Sequence, residues 1–143
     1  MNTLADPDTP FAVVEAGTMR GNIARLKDPA DRLAVALRPH GKTAKSLDVA
    51  ALLHSAAPCP VTVSTLAEAE AFADGGYTDI TCAVGIDPRE LPRVVALSRR
   101  GVTLRLQSRH PGDGAPAHPA VVRVRHGHTL RVNGSGGALS VFL

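Results

Sequence analysis

Apolar positions along the chain switch repeatedly between two patterns. Short, nearly continuous apolar runs occur at Phe11–Val14, Leu33–Leu37, Val61–Val63, Asp79–Val84 and Val102–Leu106. Runs of that length bounded by turn residues predict buried strands. Between them the apolar residues recur at helical intervals. Thr18 is the expected N-cap of a helix carrying Met19, Ile23 and Leu26, which Asp28-Pro29 is expected to break. Ser46 is placed to cap a helix over Leu47 to Leu53, with Pro58 and Pro60 after it. Thr65 with Glu68 forms a capping box for a helix that stops at Gly75-Gly76. Asp87 at the N-cap and Pro88 at the first helical position open a helix with Leu91, Val94, Val95 and Leu97 on its apolar face. That helix ends at Arg99-Arg100, where cations suit its dipole, and at Gly101.

Strand and helix thus alternate four times before a fifth strand. This order predicts an α/β fold with parallel strands. Units of about 20–30 residues match the spacing of a (β/α)8 TIM barrel, here a partial one of about four β/α units plus a strand. A doubly wound sheet is the main alternative. No GxGxxG or GxxxxGK[ST] follows a strand, which weighs against dinucleotide and Walker-type nucleotide binding.

Composition narrows the picture. The chain has 143 residues, 44% hydrophobic, 20% charged and 3% aromatic, with no Trp. Its core must therefore be built from Ala, Val and Leu. No apolar run reaches the length of a membrane span. The polar, acidic stretch from Met1 to Pro10 does not read as a secretory signal. Cys59 and Cys82 have neither CxxC nor metal-ligand spacing, and buried, reduced thiols and a cytoplasmic location are expected.

Charge divides the chain. Residues 1–106 balance 12 Lys/Arg against 12 Asp/Glu. Residues 107–143 hold four Arg, one Asp, four His and nine Gly or Pro, and so carry the whole net charge of +3. The expected division is a barrel-like domain over 1–106 and a basic tail over 107–143. The tail is irregular or holds a β-hairpin of Val121–Arg125 with Thr129–Val132 across His126-Gly127-His128. Gly134-Ser135-Gly136-Gly137 reads as a flexible segment. His110, His118, His126 and His128 lack helical i, i+4 spacing and read as turn histidines, so no metal site is assigned. A basic tail raises a nucleic-acid role, but no aromatic platform accompanies it, and neither nucleic acid nor membrane is expected as a partner.

The candidate chemistry lies in Arg38-Pro39-His40-Gly41-Lys42-Thr43-Ala44-Lys45-Ser46, a polar turn between a predicted strand and a predicted helix. In parallel α/β folds, ligands bind at the carboxyl ends of the strands. A lysine fixed there beside other cations can act as a nucleophilic amine. Gly41 allows an unusual backbone conformation or a close approach. A solvated basic loop is the alternative reading.

This stretch resembles the lysine motif of the D-threonine aldolase and D-serine dehydratase family, pyridoxal-phosphate enzymes of the alanine-racemase-like fold type. The likeness extends to Thr9–Val14, Asn22–Arg25, Val61–Glu70 and Thr78–Ile86, in the family's order, and covers residues 9 to about 106. It implies that Lys42 forms the internal aldimine with pyridoxal 5'-phosphate. Arg38 and Lys45 would then supply positive potential and His40 would orient the turn. It also implies a lyase acting on small D-amino acids. Ala44, with the Val-Ser-Thr-Leu and Ala-Val-Gly-Ile segments, leans toward D-threonine aldolase-like retro-aldol cleavage. A D-serine dehydratase-like elimination and a non-catalytic pyridoxal-phosphate-binding domain are the alternatives.

Family members are far longer than this chain, are homodimeric, and place their phosphate-binding loops and divalent-metal ligands beyond the matched part. The expectation is therefore a truncated or frame-shifted product with impaired activity.

Overall fold

The computed structural model describes residues 8, 10–53, 58, 60–107, 121–124, 129–134 and 137–142; beyond residue 107 it describes the backbone and the side chain of Val124. Cys59 and the tail histidines lie outside the described residues. The chain forms two compact units, Met1–Ala36 and Leu37–Leu143.

Among the described residues the first unit contains one helix, α1 (Ala16–Arg32). Its cap is Glu15, not Thr18. The Glu15 side chain accepts the backbone N–H groups of Gly17 (2.8 Å) and Thr18 (2.5 Å). The Thr18 hydroxyl, and after it these two backbone bonds, hold the Glu15 carboxyl below its ordinary range. Asp28-Pro29 does not break the helix, which carries Pro29 inside it.

Neither of the two strands expected here forms. Phe11 to Val14 has no ladder partner among the described residues, and Val13 and Val14 are exposed. Leu33, Ala34 and Val35 are taken up by the end of α1. Val35 N–H donates to the Ala30 carbonyl (2.9 Å) and Ala34 N–H to that of Asp31 (3.1 Å). Together with φ of +52° at Ala34, these bonds form a Schellman cap. Its left-handed residue is usually Gly, so the sequence carries no sign that the helix ends there.

The second unit holds the sheet. β1 (Val61–Val63), β2 (Asp79–Gly85) and β3 (Thr103–Gln107) lie side by side and parallel. β1 and β2 are joined through α3 (Leu66–Asp74). β2 and β3 are joined through a 3-10 turn (Pro88–Glu90) and α4 (Leu91–Arg99). α2 (Leu47–Ala51) precedes β1 and is capped by Ser46 as expected, with Val49 N–H donating to its Oγ (3.3 Å). Three parallel strands with intervening helices fit the expected partial barrel.

Side chains alternate across this sheet. Val61, Val63, Ile80, Cys82, Leu104 and Leu106 are buried on one face. With Leu66, Ala69, Phe72, Leu91, Val94 and Leu97 of the helices they make one apolar cluster. The alternate strand positions hold Thr62, Asp79, Thr81, Thr103 and Arg105, so this face is polar, as period-2 alternation requires.

The expected tail hairpin is not formed. β4 (Val121–Val124) instead pairs antiparallel with β3, Leu104 opposite Val124 and Gln107 opposite Val121. The sheet thereby crosses the boundary expected after residue 106. An open edge exposes N–H and C=O groups that need partners, and β4 supplies them along β3. β5 (Thr129–Gly134) pairs with β6 (Gly137–Phe142) in a separate two-stranded ladder, with Gly134 opposite Gly137 at its end. The two outer glycines of the segment read as flexible are thus ladder residues. Among the described residues no helix is long and apolar enough to cross a membrane.

Candidate active site

The lysine turn is built onto the edge of β1. His40 forms a parallel bridge with Thr62. Thr62 N–H donates to the Pro39 carbonyl (2.8 Å), and Gly41 N–H donates to the Thr62 carbonyl (2.7 Å). Because the pairing is parallel and in register at Thr62, the chain after Gly41 runs out past the carboxyl end of β1. Lys45 N–H donates to the Gly41 carbonyl (2.8 Å) and closes the turn. Lys45 has φ of +47°, a left-handed conformation for a non-glycine residue.

Gly41 itself does not use the left-handed region. What it permits is contact: a Cβ there would lie 2.8 Å from Phe72 Cζ and 3.0 Å from Cε2. The turn is thus seated on the ring of a buried residue of α3.

The four residues expected at the site fall into three settings. Lys42 is exposed on the turn, and no carboxylate pairs with its ammonium group among the described residues. His40 Nδ1 accepts the Lys42 backbone N–H at 3.2 Å.

Lys45 is engaged elsewhere: its Nζ lies 3.2 Å from Glu68 Oε1. Arg38 points to the opposite end of the strands. Its guanidinium lies 3.0 Å from Asp79 Oδ1 and 3.3–3.4 Å from the carbonyls of Asp79 and Val61, the first residues of β2 and β1. Asp79 also pairs with Arg105. The structure therefore brings His40, Lys42 and Lys45 together at the carboxyl end. It places Arg38 in an ion network on the polar face at the amino end.

Two carboxylates with site-related contacts were not singled out for them by the sequence. Glu68 was legible as a capping residue, and Thr65 Oγ1 does accept its N–H (3.2 Å). Its carboxylate additionally accepts the Ser64 N–H (2.8 Å). That bond, more than the ion pair with Lys45, holds the Glu68 carboxyl below its ordinary range against the opposing effect of burial. Asp79 stands in the sequence only as the start of the strand pattern Asp79–Val84. A charged residue at an inward position beside an apolar one was the available signal, together with Arg105 in Val102-Thr103-Leu104-Arg105-Leu106.

An exposed lysine without a carboxylate partner, at the carboxyl end of a parallel strand, fits an aldehyde-bearing cofactor. The Arg38 guanidinium lies at the other end of the strands, beside Asp79. Among the described residues no three His, Cys, Asp or Glu side chains converge as a metal site would require.

No protein-family model matches the chain. It is 48% identical over 105 residues to D-threo-3-hydroxyaspartate dehydratase of Delftia sp. (strain HT23), a match covering 73% of this chain and 28% of that protein. It is 32% identical over 98 residues to 3-hydroxy-D-aspartate aldolase of Paracoccus denitrificans, covering 67% of this chain and 25% of that one. The solved structure of the Delftia dehydratase superposes with a TM-score of 0.66 at 47% identity, over 74% of this chain and 28% of the other. An alanine racemase-like protein from Idiomarina loihiensis superposes with a TM-score of 0.65 at 46% identity, over 72% and 28%. One solved structure is of a D-threo-3-hydroxyaspartate dehydratase variant in its metal-free form. The chain spans about 28% of the length of these relatives, and the matched part has the alanine racemase-like fold.

Proposed function

From its homology to alanine racemase-like lyases, we propose that this chain carries the lysine-bearing part of a pyridoxal-phosphate-dependent lyase acting on a D-3-hydroxy-α-amino acid. The observation that carries this reading is Lys42, exposed beyond the carboxyl end of β1 and without a carboxylate partner among the described residues. Lys42 would hold the cofactor through its ε-amine, which attacks an aldehyde carbon in its neutral form. When bound, pyridoxal phosphate supplies a ring that takes up the electron pair left when a bond at the substrate Cα breaks.

The chain's own residues do the rest. His40 Nδ1 holds the Lys42 amide and so fixes where the lysine side chain leaves the turn. The packing of Gly41 on Phe72 fixes the turn against α3. The Lys42 amine would then be the group available to accept or return a proton at the substrate Cα.

Identity to the hydroxyaspartate dehydratase (48%) is well above that to the hydroxyaspartate aldolase (32%). This difference favours elimination of water over the retro-aldol cleavage expected from the sequence, and a 3-hydroxyaspartate over D-threonine.

Incubation with pyridoxal phosphate, followed by absorbance at the band of the lysine-bound cofactor, tests the assignment. The unaltered chain is expected to develop the band and Lys42→Ala to lose it. Equal bands in both proteins would remove Lys42 from the site. Assays on D-threo-3-hydroxyaspartate, D-serine and D-threonine then separate the substrate readings.

A further inference from the structure

Two lysines lie on the same turn, three residues apart, and either amine could react with an aldehyde. They differ in what surrounds them. Lys42 has no carboxylate neighbour among the described residues, whereas Lys45 Nζ lies 3.2 Å from Glu68 Oε1. Glu68 is the third residue of α3, and its carboxylate works in two directions at once. In an ordinary capping box the glutamate reaches the N–H of the cap residue itself. Here the carboxylate also reaches one residue further back: Oε2 accepts the Ser64 N–H at 2.8 Å. That leaves Oε1 facing the lysine turn. The Glu68 side chain is only 13% exposed, so this carboxylate is a largely buried fixture of the strand-to-helix corner.

Lys45 is also conformationally unusual. A non-glycine residue in the left-handed region costs about 1 kcal/mol or more and persists only where its surroundings hold it. Three contacts hold it here. They are the Lys45 N–H to the Gly41 carbonyl, the extended Ser46 cap of α2 that follows, and the Glu68 carboxylate at its side-chain end.

We propose that Glu68 is a positioning residue for the lysine turn: it ties Lys45 to the Ser64 corner of α3 and so leaves Lys42 as the amine offered to the cofactor. Lys45 thereby acts as an anchor of the turn and not as a cofactor ligand. The inference rests on the assignment of Lys42 made above. A purely local capping role for Glu68 would stabilise α3 without affecting which lysine reacts.

The test uses the full chain with pyridoxal phosphate as the probe. Borohydride reduction makes the adduct permanent, and peptide mapping by mass gives the ratio of label on Lys42 to label on Lys45. The unaltered protein is expected to carry the label mainly on Lys42. Glu68→Gln retains an oxygen for the Ser64 N–H but removes the charge. It should lower the Lys42:Lys45 ratio by about two- to fivefold, the factor that an ion pair with one exposed partner supports. Glu68→Ala should lower it at least as much, with far-UV circular dichroism confirming that the helices persist. An unchanged ratio in Glu68→Gln overturns the proposal, whatever Glu68→Ala does.

Amide hydrogen exchange over residues 41–46, measured without pyridoxal phosphate, is the second readout. Faster exchange in Glu68→Gln supports the clamp and equal exchange overturns it. This measurement remains decisive if neither lysine of the unaltered protein is labelled, a result that would defeat the Lys42 assignment by itself.

Discussion

At the scale of single residues, the site depends on contacts that tie the lysine turn to α3. Gly41 is the tightest of them. Phe72, 4% exposed, has its ring edge-on to Tyr77 with centroids 5.0 Å apart, so it has little room to retreat. Gly41→Ala would press a methyl group into that ring at 2.8 Å. Overpacking of this kind costs about 1–3 kcal/mol. The variant should unfold at correspondingly lower urea concentration, and Gly41→Ala combined with Phe72→Leu should recover part of the loss. Additive losses in the double variant would show that the two residues are not coupled. The need for a glycine was legible in the sequence, but the ring it faces was not, because Phe72 is remote along the chain. Arg38 teaches the same lesson with the opposite outcome. A cation beside the lysine motif suggested a role toward the cofactor. Parallel registration of His40 with Thr62 sends the residue two places earlier toward the amino ends, where Asp79 meets it.

At the scale of elements, helices were more legible than strands. The starts of α2, α3 and the Pro88 turn follow from Ser46, Thr65 and Asp87, each of which accepts a backbone N–H within three residues. Strands depend on partners. Phe11–Val14 and Leu33–Leu37 have strand-like composition without forming a ladder, and β4 pairs with β3 where a hairpin with β5 was expected. Val124 shows what β4 contributes. It is 1% exposed and joins the apolar cluster beneath the sheet. Val124→Asp would bury a carboxylate without a cation partner, at a cost of about 3 kcal/mol or more. Its melting temperature should fall, and amide exchange along Thr103–Gln107 should accelerate. Unaltered exchange there would mean that β4 does not protect the edge of β3.

At the scale of the whole molecule, the buried thiol of Cys82 links the core to pH. Burial, with smaller contributions from the charges of Glu90 and Glu68, pushes its pKa up to about 11 from the ordinary 9.0. The unfolded chain therefore gives up this proton at lower pH than the folded one. The associated stability is intact below about pH 9 and declines as pH rises toward 11, by about 1.4 kcal/mol per pH unit. Urea denaturation at pH 8, 9 and 10 should show that decline. Cys82→Ala should lessen it, since the side chain that titrates is gone. An identical slope in the variant would assign the alkaline loss to other groups.

The sequence by itself determined the alternation of elements from Val61 to Gln107, the caps that start most helices, the apolar face of the sheet and the position of Lys42. These are encoded within a few residues of one another, through backbone hydrogen bonds and periodicity, and need no distant partner to be read. Tertiary structure alone decided which apolar runs became strands, which strand covers β3, and which of the cations around Lys42 face the same way. Those outcomes rest on registration across the sheet and on pairs such as Arg38 with Asp79 and Lys45 with Glu68. In each pair, residues distant in sequence meet only because the intervening chain has already folded.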